Sequence, residues 1–169
     1  MKRIEPIQLP SEWHIGDGIR EDIPTFFRSA FKLDLPISGG WGYSESDPLK
    51  IHKTDVAPVN DYHTVEQVFV EKRIFSECII FRDRFNKFSG MQWNLQHQSQ
   101  INAGDRKLDR LEFAVTMLGD ADWEFLKKDW EANDAYSRDP AGKAEHLAER
   151  EKRTVTYDSV YFFDVTDFL

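Results

Sequence analysis

The chain has little cysteine and no long apolar run, and both shortages narrow the class of protein. Cys78 is the one cysteine among 169 residues, so no internal disulfide can form and nothing indicates an oxidising compartment. The longest apolar runs, CIIF and VYFF, are far shorter than the roughly 20 residues of a membrane-spanning helix. Near the N-terminus Glu5, Pro6 and Pro10 interrupt the apolar stretch that a signal peptide would need. We therefore expect a cytoplasmic protein with no membrane partner.

Positive charge is also scarce. The chain has 22 Lys and Arg residues against 30 Asp and Glu residues, and residues 119–169 hold 13 of the acids but only 7 of the bases. The formal net charge is −8. Affinity for nucleic acid comes largely from Lys and Arg side chains that neutralise phosphates, so we expect no nucleic-acid partner. A basic protein partner, or simple solubility, accounts better for the acidity.

The remaining composition is that of a globular protein. Hydrophobic residues make up 40% and aromatic residues 14% of the chain, more than a disordered sequence would contain. A length of 169 residues fits one domain over residues 1–169. Strand and helix patterns are segregated along the chain rather than alternating, which predicts an α+β fold with helices mostly on one face of a mainly antiparallel sheet.

Periodicity and capping residues predict the individual elements. Four segments have helical patterns: EDIPTFFRSAFKL, TVEQVFVEKRIF, GDADWEFLKKDWEAN with Asp120 as N-cap, and DPAGKAEHLAEREK with Asp139 at its start. The pattern of the second segment, TVEQVFVEKRIF, is also compatible with a strand. Two short strands, SGGWGYS and PLKIHK, precede the second helix. Three further strands, ECIIFRD, GMQWNLQHQSQIN and LDRLEFAVTML, are expected to form a central antiparallel meander, and TVTYDSVYFFDV a C-terminal strand.

The stretch QWNLQHQSQIN places an uncharged amide at every second position. In a regular strand the side chains alternate between two faces. One face would join the core and carry Trp93, Leu95, His97, Ser99 and Ile101. The other would carry the row Gln92, Asn94, Gln96, Gln98, Gln100 and Asn102. Amides form hydrogen bonds but do not titrate near neutral pH, so this amide row predicts recognition rather than proton transfer.

Two interpretations of the amide row stay open. Arg110, Glu112 and Thr116 alternate with apolar residues in the next strand, which favours a solvated outer face. The runs CIIF and SVYFFDV are apolar on both faces, which favours a partly enclosed groove that would bind a ligand. His97 is then either a hydrogen-bonded core residue or a general base that faces the groove.

Two other segments carry candidate binding residues. In GGWGYS the glycines ease a strand past bulky neighbours, and Trp41 and Tyr43 are candidates for an exposed aromatic patch that contacts a partner. The segment FRDRFNKF places Arg82, Arg84 and Lys87 among phenylalanines. These charges are either solvated at a hairpin tip or available to a partner, with Arg84 best placed to bind a small anion.

No reaction centre is visible in the sequence. The five histidines lack the spacings of metal-binding motifs, so no metal site, cofactor or catalytic residue is predicted. Cys78 has no basic neighbour to activate its thiol and is expected to be buried and inert.

Two functions remain as hypotheses. The first is a non-catalytic binding protein of the inhibitor, immunity or adaptor type that recognises a basic protein partner. The second is a small-molecule-binding domain or modest enzyme, with a groove over the sheet lined by the amide row and His97 and an anion contact from Arg84. A free sheet edge would also permit a homodimer.

Overall fold

The computed structural model describes residues 1–10, 13–15, 19–53 and 61–169. Six of its strands form one mixed sheet: β1 (Lys2–Arg3), β4 (Ile37–Ser44), β5 (Asp47–Ile51), β6 (Phe88–Ala103), β7 (Arg106–Gly119) and β8 (Val155–Asp164). Their order in the sheet is β4-β5-β8-β7-β6, and β1 also pairs with β8. Strands β2 (Trp13–Ile15) and β3 (Ile19–Glu21) pair as a separate antiparallel hairpin.

The sheet is antiparallel in two parts. β4 pairs with β5 and β7 pairs with both β6 and β8 in antiparallel orientation, whereas β1 and β5 both pair with β8 in parallel. The expected antiparallel pairing is therefore present between these strands, but the whole sheet is mixed. The predicted three-strand meander is wrong, because ECIIFRD is not a strand and only its second and third members, β6 and β7, form a hairpin.

Four α-helices follow the predicted segments closely. They are α1 (Ile23–Phe31), α2 (Tyr62–Phe75), α3 (Asp120–Ala132) and α4 (Pro140–Arg153). Side chains of Asp22, Asp61 and Asp139 accept hydrogen bonds from backbone amides in the first turns of α1, α2 and α4. The predicted N-cap of α3 is wrong by one residue: Gly119 occupies it, and Asp120 accepts a hydrogen bond from Ser89 instead.

A π-helical turn, Ser76–Ile80, replaces the predicted strand ECIIFRD. It continues directly from α2 and buries Glu77 and Cys78. Short apolar runs do not distinguish a strand from a buried helix, and that ambiguity produced the error. The expectation of a buried Cys78 is confirmed, and burial raises the pKa of its thiol to about 11.

The hydrophobic core lies between the sheet and helices α1 and α2. The rings of Phe27 in α1 and Phe69 in α2 stack with centroids 5.3 Å apart, and Phe69 meets Phe163 of β8 edge to face at 5.8 Å. β7 adds alternate residues to this core, including Phe113 and Val115. The core is therefore strongly aromatic.

Helix α4 lies against the opposite face of the sheet. Thr116 and Leu118 alternate in β7 with the core residues Val115 and Met117, and they line concavities together with Leu147 of α4. The expectation was of helices mostly on one face; α1 and α2 share a face, whereas α4 lies on the other. The sequence shows that a helix is amphipathic but not which face of the sheet it covers.

A β-bulge interrupts β6 in the middle of the amide row. Leu95 pairs with Phe113 and His97 pairs with Glu112, so Gln96 is an extra residue without an opposite partner. The bulge reverses the alternation, because residues after it face the side opposite to that predicted. Gln98 then pairs with Leu111, which belongs to the core-facing side of β7.

None of the helices in the described ranges is long and apolar enough to cross a membrane.

Candidate functional site

The bulge divides the predicted amide row. All six residues of the row are exposed, and the amides of Gln98 and Gln100, which follow the bulge, also donate to the carboxylate of Asp109. A single continuous groove lined by the row is therefore not formed. The predicted core face of this strand also needs correction, because His97 and Leu95 are exposed while Trp93 packs against the core.

The proposed aromatic patch is not on the surface. Trp41 is 1% exposed, and the hydroxyl of Tyr43 donates to Glu77 at 2.7 Å. Glycines allow this packing as expected: a Cβ at Gly42, where φ is +72°, would lie 2.8 Å from the carbonyl oxygen of Phe162. Trp41 and Tyr43 thus act in the core and not as a contact surface.

Glu77 is the centre of a buried polar network. Its carboxylate accepts hydrogen bonds from Arg73 Nε at 2.9 Å, Tyr43 at 2.7 Å and Tyr157 at 2.9 Å. The guanidinium of Arg73 lies between the rings of Tyr43 and Tyr161, 3.7 and 4.0 Å from their centroids. Every charge in this network has partners, so the network is structural.

The basic candidates do not converge on one point. Arg82 donates through Nε to the Glu77 carbonyl and lies over the ring of Phe88. Arg84 is exposed beside Phe85, whose side chain is 80% exposed. Lys87 is half-buried at the start of β6. Their roles in binding an anion or a partner stay predictions.

A different group of side chains meets at the N-terminal end of α2. His63 and Glu66 lie in the first turns of α2, and Asp109 lies in β7 under them. One ligand atom from each residue lies within 4.8 Å of the other two. We refer to His63, Glu66 and Asp109 as the carboxylate–histidine cluster.

The two carboxylates of the cluster are buried. Glu66 is 1% exposed and Asp109 is 3% exposed, while the His63 side chain is 53% exposed. The two carboxylates of the cluster are therefore shielded from solvent, and the cluster is accessible from the side of His63. Transfer of a carboxylate from water to a protein interior is costly unless a cation or hydrogen-bond donors compensate for it.

The described residues compensate this negative charge incompletely. His63 Nδ1 is hydrogen-bonded to Glu66 Oε2 at 3.0 Å. The other oxygen of Glu66, Oε1, is buried and has no hydrogen-bond partner in the described part of the chain. Burial raises the pKa of Glu66 to about 7, His63 opposes this shift and Asp109 adds to it.

Amides of β6 fix the orientation of Asp109. Gln100 Nε2 donates to one carboxylate oxygen at 3.1 Å, and Gln98 Nε2 lies 3.5 Å from the other. Carboxylates that bind metals are commonly oriented by such outer hydrogen bonds. Gln98 was a predicted ligand-binding residue, and here it supports a residue of the cluster instead.

Sequence reasoning missed the carboxylate–histidine cluster. His63 and Glu66 are spaced i, i+3 on one helix, which is a weak signal without a third residue. Asp109 is distant in sequence from both residues, and no motif in the sequence indicates it as a site residue. Only the pairing of the sheet and the packing of α2 on it bring these groups together.

Comparison of the chain with protein-family models, curated proteins and solved structures found no match.

Proposed function

We propose that the protein binds a divalent metal ion at the carboxylate–histidine cluster and uses the open coordination positions of that ion to hold a small anionic ligand. The observation that carries this proposal is the buried, unpartnered Oε1 of Glu66 beside a second buried carboxylate. A cation between the two carboxylates would supply the missing partner.

The donor set favours a particular group of metals. One imidazole nitrogen and two carboxylate oxygens suit Zn²⁺, Mn²⁺ or Fe²⁺ better than soft ions, which prefer sulfur. Three protein ligands leave at least one position for water or a ligand, as in sites where metals take part in chemistry. His63 is the exposed member of the cluster, so a ligand would approach from its side.

Protonation of Glu66 is the alternative to metal binding as a way to reduce the buried negative charge of the cluster. A neutral Glu66 could share its proton with Asp109, and the raised pKa of Glu66 favours this near neutral pH. A metal ion would displace that proton, so metal affinity should increase as the pH rises through about 7. Competition between the proton and the metal ion can therefore be measured as a dependence of metal affinity on pH.

The test is a calorimetric titration of chelator-treated protein with Zn²⁺ and with Mn²⁺. The wild type should bind about one ion, and Glu66→Gln and Asp109→Asn should each weaken binding by at least about tenfold, because each removes a charged ligand. His63→Ala should also weaken binding, because it removes the nitrogen ligand.

His97→Ala is the matched control, because His97 is exposed and lies outside the cluster. It should leave the metal affinity unchanged. Binding that is equally strong in the wild type and in all three cluster variants would contradict the proposal.

A basic protein partner is the second candidate. The net charge of −8 and the exposed Phe85 favour it. The expected contact surface for this partner, α3 and α4, carries less net negative charge than residues 119–169 as a whole. Residues 119–153 hold ten acidic and seven basic side chains. Arg153 also pairs with Asp122 and with Glu149 there. We therefore place the metal-binding function first.

A further inference from the structure

A second candidate site lies away from the cluster, between α3, α4 and the end of β7. A cavity of about 250 Å³ opens there. Its walls are mainly apolar: Trp123, Leu126 and Trp130 come from α3, and Leu147 comes from α4. Drug-sized ligands occupy pockets of roughly 300 to 1,000 Å³, so this cavity suits the body of a small ligand.

Two cations line the same cavity. Lys127 and Arg150 border it, and neither side chain has an ion-pair partner in the described part of the chain. The neighbouring Arg153, in contrast, pairs with two carboxylates. In a protein with a net charge of −8, two unpaired cations at one apolar cavity are complementary to an anion.

The walls are held in place before any ligand binds. Asp129 accepts a hydrogen bond from the Tyr136 hydroxyl at 2.7 Å and lies 2.6 Å from His146 Nδ1. His146 is 7% exposed, and its ring lies 5.0 Å from that of Trp130. These contacts join α3 to α4 across the cavity, and a preorganised wall lowers the cost of binding.

A more polar concavity adjoins the cavity and shares residues with it. Leu118, Leu147 and Arg150 line both, and Gln92, Thr116 and Glu151 are among the residues that line only the second. An apolar ligand body among the tryptophans would therefore have its polar end near Arg150. A guanidinium binds a carboxylate through two parallel hydrogen bonds, and the amide of Gln92 is a further donor nearby.

We propose that this cavity binds a small monocarboxylate with an apolar body, with the body between α3 and α4 and the carboxylate at Arg150. The site is separate from the carboxylate–histidine cluster, so this proposal does not depend on metal binding.

Titration with octanoate, followed by tryptophan fluorescence and by NMR chemical shifts, tests the proposal. Octanamide, which has the same body without the charge, is the matched ligand. Octanoate should bind at least about tenfold more tightly than octanamide, and the shifts should concentrate on α3 and α4, since the carboxylate gains charge-assisted hydrogen bonds.

Arg150→Gln should remove this preference for octanoate, and Lys127→Gln should reduce it. Lys127 is exposed, so its replacement should leave the fold intact. Arg138→Gln is the control, because Arg138 is exposed and does not line the cavity. The inference is overturned if octanoate and octanamide bind equally well, if neither binds at millimolar concentration, or if Arg150→Gln retains the preference.

Discussion

At the scale of single residues, Glu66 is a carboxyl group whose pKa the fold raises into the neutral range. Its pKa is 4.5 in a solvated chain and is raised to about 7 here, mainly because it is buried. The folded protein therefore holds the proton more tightly than the unfolded chain does. In metal-free protein the free energy of unfolding should fall as the pH rises from about 4.5 to about 7, by roughly 3 kcal/mol from this group.

Urea unfolding of the wild type and of Glu66→Gln at pH 5 and at pH 8 measures this contribution. The wild type should lose more stability over this range than the variant, because glutamine does not titrate. Glu131→Gln, at an exposed position, should behave like the wild type. Parallel losses in the wild type and in Glu66→Gln would show that another group is responsible.

The Arg73–Glu77 pair predicts a large effect of a single substitution. Both residues are buried, and their ion pair is 2.9 Å long. Arg73→Met would leave the Glu77 carboxylate buried without its cation and should destabilise the protein by about 3 to 5 kcal/mol.

Arg73→Met combined with Glu77→Gln should recover part of this loss in urea unfolding, because the pair of substitutions removes both charges. A loss below about 1 kcal/mol for Arg73→Met alone would mean that the two tyrosine hydroxyls are sufficient to stabilise Glu77.

At the scale of elements, the bulge in β6 decides which amides belong to the candidate site. Gln100 and Asn94 are both exposed, but Gln100 lies after the bulge and donates to Asp109, whereas Asn94 lies before the bulge. Gln100→Ala should therefore weaken Zn²⁺ binding by about 10 to 100-fold, as expected for loss of an outer hydrogen bond to a ligand. Asn94→Ala should have no effect in the same calorimetric titration, and equal effects of the two substitutions would contradict the division of the row.

Capping and periodicity predicted most elements from the sequence. The acids and proline that open EDIPTFFRSAFKL indicate the start of α1, and Asp139 indicates that of α4. In the structure the side chains of Asp22 and Asp139 accept hydrogen bonds from first-turn amides. The bulge at Gln96 was not readable, because an extra residue in one strand changes no local propensity. The π-helical turn at Ser76–Ile80 is not predictable either, since its apolar run fits both a strand and a buried helix.

At the scale of the whole molecule, the order of strands was the least predictable feature. Pairing of β6 with β7 follows from the short turn between them, whereas β8 pairs with β7 only after α3 and α4. The parallel pairing of β1 and β5 with β8 joins segments that are distant in sequence. The carboxylate–histidine cluster depends on the same kind of distant contact, so spacing rules could not reveal it.

The distribution of charge also differs from its sequence-based interpretation. Half of the −6 held by residues 119–169 comes from Asp158, Asp164 and Asp167, outside α3 and α4. Basic side chains neutralise much of the acid on the two helices themselves. A homodimer through a sheet edge stays a prediction, and β4 and β6 are the strands at the two ends of the described strand order.

X-ray absorption at the zinc edge, on protein loaded with one equivalent of Zn²⁺, tests metal binding at the cluster most directly. We predict a shell of nitrogen and oxygen ligands at about 2.0 to 2.2 Å that includes one imidazole, and loss of the imidazole signal in His63→Ala. A zinc ion surrounded by water alone, a sulfur ligand, or an unchanged spectrum in His63→Ala would contradict this account.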